Sequence, residues 1–243
     1  MNKSEWKSAE EIRHSLRGAD KITLFACGVC ANLSNTGGHR GLKFLRKVLE
    51  EWGKEVVATK CITACCSEEI MKQAVRIYGR PISESDALVV VSCAAGVKSA
   101  FLSEPGVPVV AAADSVGSVP VSRREDTVAR SRCTNCGHCV ITYTGGICPL
   151  SECPAERKYE PCSRFSRNGK RCAVDPSRDC VWIEIAKRGD LEALKKLGGI
   201  HETVGEERLS MPQRRSSPTF IKKLSGMAVA RAHWFGRFVN FVD

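Results

Sequence analysis

The sequence predicts an α/β protein with an N-terminal parallel-sheet (βα repeat) domain, a cysteine-rich domain and C-terminal helices. Three observations predict it. Short apolar runs alternate with amphipathic helical patterns from Lys21 to Ala113. Eight of the 14 cysteines crowd between Cys133 and Cys180, on turn-forming sequence with almost no hydrophobic periodicity. Helical spacing then returns from Cys180 to Leu197. A buried strand reads as a short continuous apolar run, and βα alternation of such runs marks a parallel sheet covered on both faces. The expected boundaries are 1–122 for the α/β domain, 123–204 for the cysteine-rich domain and 205–243 for a basic amphipathic tail.

Residues 3–18 read as one amphipathic helix closed by Gly18. Lys21–Ala26 is the first strand and stops at Cys27-Gly-Val-Cys30. A turn-rich loop, 32–38, precedes a helix over 41–52, with Leu42, Leu45, Val48 and Leu49 on one face. Val56–Ala58 is the second strand, followed by Cys61, Cys65 and Cys66. Ser67 caps a helix over 68–78, and Glu68 and Glu69 suit its first turn. Ala87–Val91 is the third strand, ending at Ser92-Cys93, with a helix over 94–102 behind it. Val107–Ala113 is the fourth strand. A charged connector around 121–132 leads into the cysteine-rich stretch, and Gly189-Asp190 divides the helical region after it.

No apolar targeting region opens the chain and no run is long enough to span a bilayer, so a cytoplasmic protein with reduced thiols is expected. In that setting clustered cysteines read as metal ligands rather than disulfides. A segment such as 133–180 buries too little apolar surface to fold alone, and metal–thiolate bonds are what would staple it. The net charge of +10 admits nucleic acid or an anionic surface as partner. Aromatic content of 6% offers little for base stacking, so neither nucleic acid nor membrane is the expected partner.

The carboxyl ends of parallel strands share one edge, and ligands bind there. Cys27, Cys30 and Cys93, with Cys65 or Cys66 as fourth, are therefore expected to converge on one iron–sulfur cluster or zinc. Cys133-x2-Cys136-x2-Cys139 has ferredoxin spacing, and Cys148-Pro149 supplies the cysteine–proline that ends such runs. A [4Fe–4S] cluster on these four is expected there. Cys153, Cys162, Cys172 and Cys180 could hold a second cluster or a structural zinc, and the last cysteine of each set could be exchanged. One to three clusters are expected in all. His138 is read as local packing. No GxGxxG after a strand, P-loop or catalytic triad is present, so flavin is expected on a partner. In the tail, Ile221, Leu224, Ala228, Phe235, Val239 and Val242 fall at helical spacing among Arg214, Lys222, Arg231 and Arg237. A docking helix and a helix packed on its own domain are both open there.

The cysteine pattern resembles the small, cysteine-rich (MetV-type) subunit of bacterial methylenetetrahydrofolate reductase. The matching pieces are Cys133-Thr-Asn-Cys136-Gly-His-Cys139, Thr144-Gly-Gly-Ile-Cys148-Pro149, Cys153, Pro161-Cys162, Asn168-Gly-Lys-Arg-Cys172 and Asp179-Cys180-Val-Trp182. Cys27-Gly-Val-Cys30, Thr36-Gly-Gly38 and Ser92-Cys93 extend the likeness into the first half. Where that family carries glycine on both sides of a cysteine, this chain has Pro161-Cys162-Ser163, which favours a simple thiolate ligand at Cys162. The resemblance implies a non-catalytic redox subunit. Its partner would be an FMN- or FAD-containing catalytic subunit that reduces methylenetetrahydrofolate in one-carbon metabolism, with a further redox module as an additional candidate. It also implies iron–sulfur and zinc on this chain, relaying electrons or anchoring the flavoprotein. A zinc-stapled adaptor without electron transfer and a nucleic-acid-binding zinc protein are the alternatives.

Overall fold

A computed structural model describes residues 2–118, 133–165, 170–203 and 207–212. The connector at 121–132 and the apolar tail pattern from Ile221 to Val242 lie outside these residues. In chain order the elements are β1 (Asn2–Trp6), α1 (Ala9–Ser15), β2 (Lys21–Cys27), α2 (Cys30–Leu33), α3 (Gly38–Glu51), β3 (Glu55–Ile62), α4 (Glu68–Ile77) and α5 (Gly79–Ser83). They continue with β4 (Ala87–Val91), α6 (Ala94–Leu102), β5 (Val109–Ala111), β6 (Ala113–Ser118), α7 (Pro149–Glu152), α8 (Val181–Arg188) and α9 (Leu191–Thr203).

Four strands form a parallel sheet in the order β3-β2-β4-β5. β4 is buried along its whole length, as an all-aliphatic central strand must be. Its alternation divides two cores. Leu88 and Val90 face a cluster with Phe25, Ile70, Met71, Val97 and Ala100. Ala87, Val89 and Val91 face another with Trp6, Ile12, Leu24, Leu42, Leu45 and Leu49. Helices α4 and α6 therefore cover one face, and α1 and α3 the other. A third core forms around Trp182, Ile185, Leu194 and Leu197, with Val140 and Tyr143 inserted from the cysteine-rich stretch.

Strands 87–91 and 21–26 and the helices over 68–78 and 94–102 lie where the pattern predicts them, to within a residue. The helix expected over 3–18 is two elements. Asn2–Trp6 is extended because it pairs antiparallel with β6, from Asn2 opposite Ser118 to Trp6 opposite Ala113. The helix begins only after Ser8, whose Oγ accepts the Glu11 N–H at 3.1 Å. The strand expected over 107–113 is shorter and divides at Ala112. The N–H of Ala112 still bonds Val90, while its carbonyl accepts the N–H of Lys7. One residue thus passes the chain from the parallel sheet to the β1–β6 ribbon. α2 falls partly in the expected loop, and β3 runs on through Cys61. Gly189 separates α8 from α9, and Asp190 caps α9 by accepting the Ala193 N–H at 2.9 Å. Among the described residues no helix is long and apolar enough to cross a membrane.

Candidate metal centres

Because β2, β3 and β4 run parallel, their carboxyl ends deliver Cys27, the Cys65-Cys66 loop and Cys93 to one edge. Cys65 is hydrogen-bonded to Cys27. That bond, opposed by burial and helped by backbone N–H groups of Cys65, Val29 and Ala31, lowers Cys27 to about 5. Burial pushes Cys30 up to about 12, and the neighbouring charges of Cys27 and Cys93 add to this. Burial also raises Cys65 and Cys66, and each feels Cys27 and Cys93. All five predicted thiols therefore lie within electrostatic reach of one another, and both candidates for the fourth place are present. Asn2 of β1 gives its backbone N–H to Cys30. Cys61, which the predicted ligand set leaves out, lies close enough to feel Cys27, although its side chain packs on the opposite core. It is raised to about 11 by burial first and then by Cys27. Its position at a strand end, four residues before Cys65, is the signal that could have found it.

Cys133, Cys136, Cys139 and Cys148 line a second site, a cavity shared with Lys98, His138 and Lys158. The loop curls because Asn135 (φ 55°) and Gly137 (φ 76°) both take the left-handed conformation, which asparagine and glycine tolerate best. The Asn135 N–H points at Cys133 Sγ at 3.4 Å. The Ser115 hydroxyl accepts the Ala94 N–H at 2.9 Å and also bonds Cys133. Further along, the Cys139 N–H donates to Asp114 Oδ1 at 2.7 Å, and its carbonyl accepts from Lys7 Nζ at 2.8 Å. Arg208 joins from the other end of the chain, with Nη1 2.7 Å from Asp114 Oδ2 and Nη2 on the Gly137 carbonyl. His138 stacks on His201 with ring centres 4.9 Å apart, in keeping with a packing role. Lys7, Asp114 and Arg208 carry no motif, and nothing local in the sequence singles them out.

The third group is Cys153, Cys162, Cys172 and Cys180. Burial raises the Cys180 thiol, and Cys172, Cys153 and Cys162 all add to the shift, so the four are neighbours. A short bridge between Arg171 and Asp179 brings Cys172 and Cys180 together. The Cys172 N–H bonds the Arg178 carbonyl, and the Cys180 N–H the Lys170 carbonyl, each at 3.0 Å. Cys180 is also the N-cap residue of α8, with the Trp182 N–H aimed at its sulfur.

Among the described residues no three His, Cys, Asp or Glu side chains stand in metal-holding geometry as they lie. The donor sets nonetheless suit sulfur-ligated metals: each group offers four or more thiols and backbone N–H groups directed at sulfur. One atom points to a missing acceptor at the first group, since the buried Ser92 hydroxyl has no hydrogen-bond partner. The first and second groups are also adjacent. Cys93 belongs to one, Ala94 lines the other, and Cys133, Cys139 and Cys148 pack on the apolar cluster that contains Cys27, Cys65 and Cys93.

No curated protein and no solved structure matches the chain. A family model matches residues 115–208, a stretch that contains the second and third groups with Ser115 and Arg208 and leaves out the first. The matching model is the one described as methylene-tetrahydrofolate reductase C terminal, so residues 115–208 are similar to that family.

Proposed function

We propose that the chain is a metal-bearing accessory subunit of a methylenetetrahydrofolate reductase, carrying electrons to a flavin-containing catalytic subunit and helping to anchor it. The observation that carries this reading is the adjacency of the first two cysteine groups: Cys93 of the first is followed by Ala94, which lines the cavity of the second, and Cys133, Cys139 and Cys148 pack on the apolar cluster that holds Cys27, Cys65 and Cys93. Two cysteine groups side by side, the first buried, suit a relay. The domain family of residues 115–208 supports the choice of partner. Cys27, Cys30, Cys93 and one of Cys65 and Cys66 would hold one cluster, and Cys133, Cys136, Cys139 and Cys148 another. Bound there, such clusters supply one-electron carriers whose potentials follow hydrogen bonding and burial. This chain's own part is to hold the thiolates, keep water out and direct N–H groups at sulfur.

The third group favours a different occupant. Its Cys172–Cys180 bridge, with Cys180 at a helix start, is a compact staple. A structural zinc there would tie residues 153–180 to α8, as metal binding does in small domains with little core.

The test is to purify the full chain with its flavoprotein without oxygen. Iron, acid-labile sulfide and zinc are assayed, and flavin reduction is followed in a single turnover. Iron and sulfide at several per chain, with visible absorbance that bleaches on reduction, are expected. Zinc without sulfide would end the relay and leave an adaptor. Failure of the two proteins to associate would end both.

A further inference from the structure

We infer that the Ser92 hydroxyl donates a hydrogen bond to a sulfur atom of an iron–sulfur cluster held by Cys27, Cys30, Cys93 and one of Cys65 and Cys66. The inference rests on the reading above that this group holds a cluster.

Ser92 follows the last residue of β4 and precedes Cys93. It is 0% exposed, and its Oγ has no hydrogen-bond partner. Nearby serines are all satisfied. Ser99 donates to Ala95 and Cys66 carbonyls, Ser103 to the Ser99 carbonyl, and Ser115 accepts the Ala94 N–H. A buried hydroxyl left unpaired costs about 1–3 kcal/mol, and native proteins keep few of them. Ser92 also packs against Gly96 of α6, close to Cys65. A Cβ on Gly96 would stand 2.2 Å from Ser92 Oγ and 2.7 Å from Cys65 Cβ. The bare glycine thus leaves the hydroxyl and Cys65 side by side, at the edge where the strand-end thiols meet. The neighbouring residues of α6 are apolar: Ala94, Ala95 and Val97 belong to the same cluster as Cys65 and Cys93. A neutral thiol is a weak acceptor, whereas sulfide and cluster-bound thiolate carry negative charge. Such a bond stabilises the reduced, more negative cluster and raises its potential.

The test uses the full chain with its flavoprotein, isolated without oxygen, in wild-type, Ser92→Ala, Ser92→Thr and Cys27→Ser forms. The first-group cluster is identified as the iron and the electron-spin signal that Cys27→Ser removes. Ser92→Ala is expected to keep its iron while that signal titrates at a lower potential. A tenfold change in the reduction equilibrium, or about 59 mV for one electron, is the size expected. Ser92→Thr, which keeps the hydroxyl, should restore the wild-type value. An unchanged potential in Ser92→Ala overturns the role of Ser92 and leaves the cluster reading intact. Cys27→Ser with undiminished iron and sulfide overturns the cluster reading itself, and the inference with it. If Ser92→Ala sheds its iron, Ser92→Thr decides: a cluster at wild-type potential supports the bond, and loss in both variants overturns it.

Discussion

Lys7 Nζ lies 2.8 Å from the carbonyl oxygen of Cys139, the third cysteine of the Cys133–Cys139 loop. The same ammonium is 2.6 Å from Asp114 Oδ1, which accepts the Cys139 N–H, and it also pairs with Glu11. One buried ion cluster therefore fixes both the amide and the carbonyl of a candidate ligand. Burial acts to lower the Lys7 pKa, but Asp114 and Glu11 outweigh it, and the net shift is upward.

Replacing Lys7 with methionine should be severe. It leaves Asp114 and Glu11 buried with their main countercharge gone, and breaking a buried pair this way costs about 3–5 kcal/mol. The variant should melt at lower temperature and lose metal from the Cys133 loop sooner than from the third group. Lys47→Met is the control, since that side chain is 79% exposed and its ion pair is with Glu51 on the same helix. Equal melting of the two variants would show that the ion cluster does not hold the loop.

Acid should act through Glu11. Burial raises its pKa, but Lys7 and then His201 lower it further, to about 2 against 4.5. A depressed carboxyl contributes stability that is complete above about 4.5 and is lost as pH falls toward about 2. The contribution is on the order of 3 kcal/mol. Glu11→Gln should flatten the stability profile across that window. Urea unfolding at stepped pH reads this out, with iron assayed at each step to separate metal loss. A slope unchanged in Glu11→Gln would place the acid sensitivity elsewhere.

Gly146 and Gly106 make a matched pair. Both have positive φ, 82° and 80°. A Cβ on Gly146 would stand 2.8 Å from Phe101, whereas one on Gly106 would meet nothing within 4 Å. Gly106→Ala should cost about 1 kcal/mol of backbone strain. Gly146→Ala should cost more, because the Gly145-Gly146 turn must also separate from α6. Equal denaturation midpoints would mean that the turn moves freely off Phe101.

The three cysteine groups can be separated by metal analysis. Cys136→Ser should release only the metal of the second group, and Cys172→Ser only that of the third. Losses in the double variant should add. A Cys172→Ser variant that also emptied the second group would redraw the boundary between them.

What the sequence made legible follows the range of the forces involved. β4 and α6 depend on local pattern: an unbroken aliphatic run, then a helix started at Cys93. Both were readable almost to the residue. The convergence of Cys27, Cys65, Cys66 and Cys93 was readable too, because parallel strands carry their carboxyl ends to one edge. β1 was not. Its residues look helical in isolation, and they are extended only because β6 pairs with them from the far side of the domain. Lys7 went unseen for the same reason, since its partner Asp114 lies 107 positions away. The spacing suggested two groups of four within Cys133–Cys180 but left the last cysteine of each open to exchange. The Arg171–Asp179 bridge pairs Cys172 with Cys180.

The β1–β6 ribbon has a consequence for the order in which the protein is made. β1 places Asn2 on Cys30, and β6 places Ser115 on Cys133, so one ribbon touches both inner groups. β1 leaves the ribosome before β6, and it has no strand partner until more than a hundred further residues have emerged. Only at the end of that interval, once Cys93 has been made, are all the strand-end thiols present while the strand over Cys30 is still unpaired. Synthesis itself therefore opens a period in which a metal proposed for the first group would reach its thiols unobstructed by β1, and pairing of β6 with β1 brings it to a close.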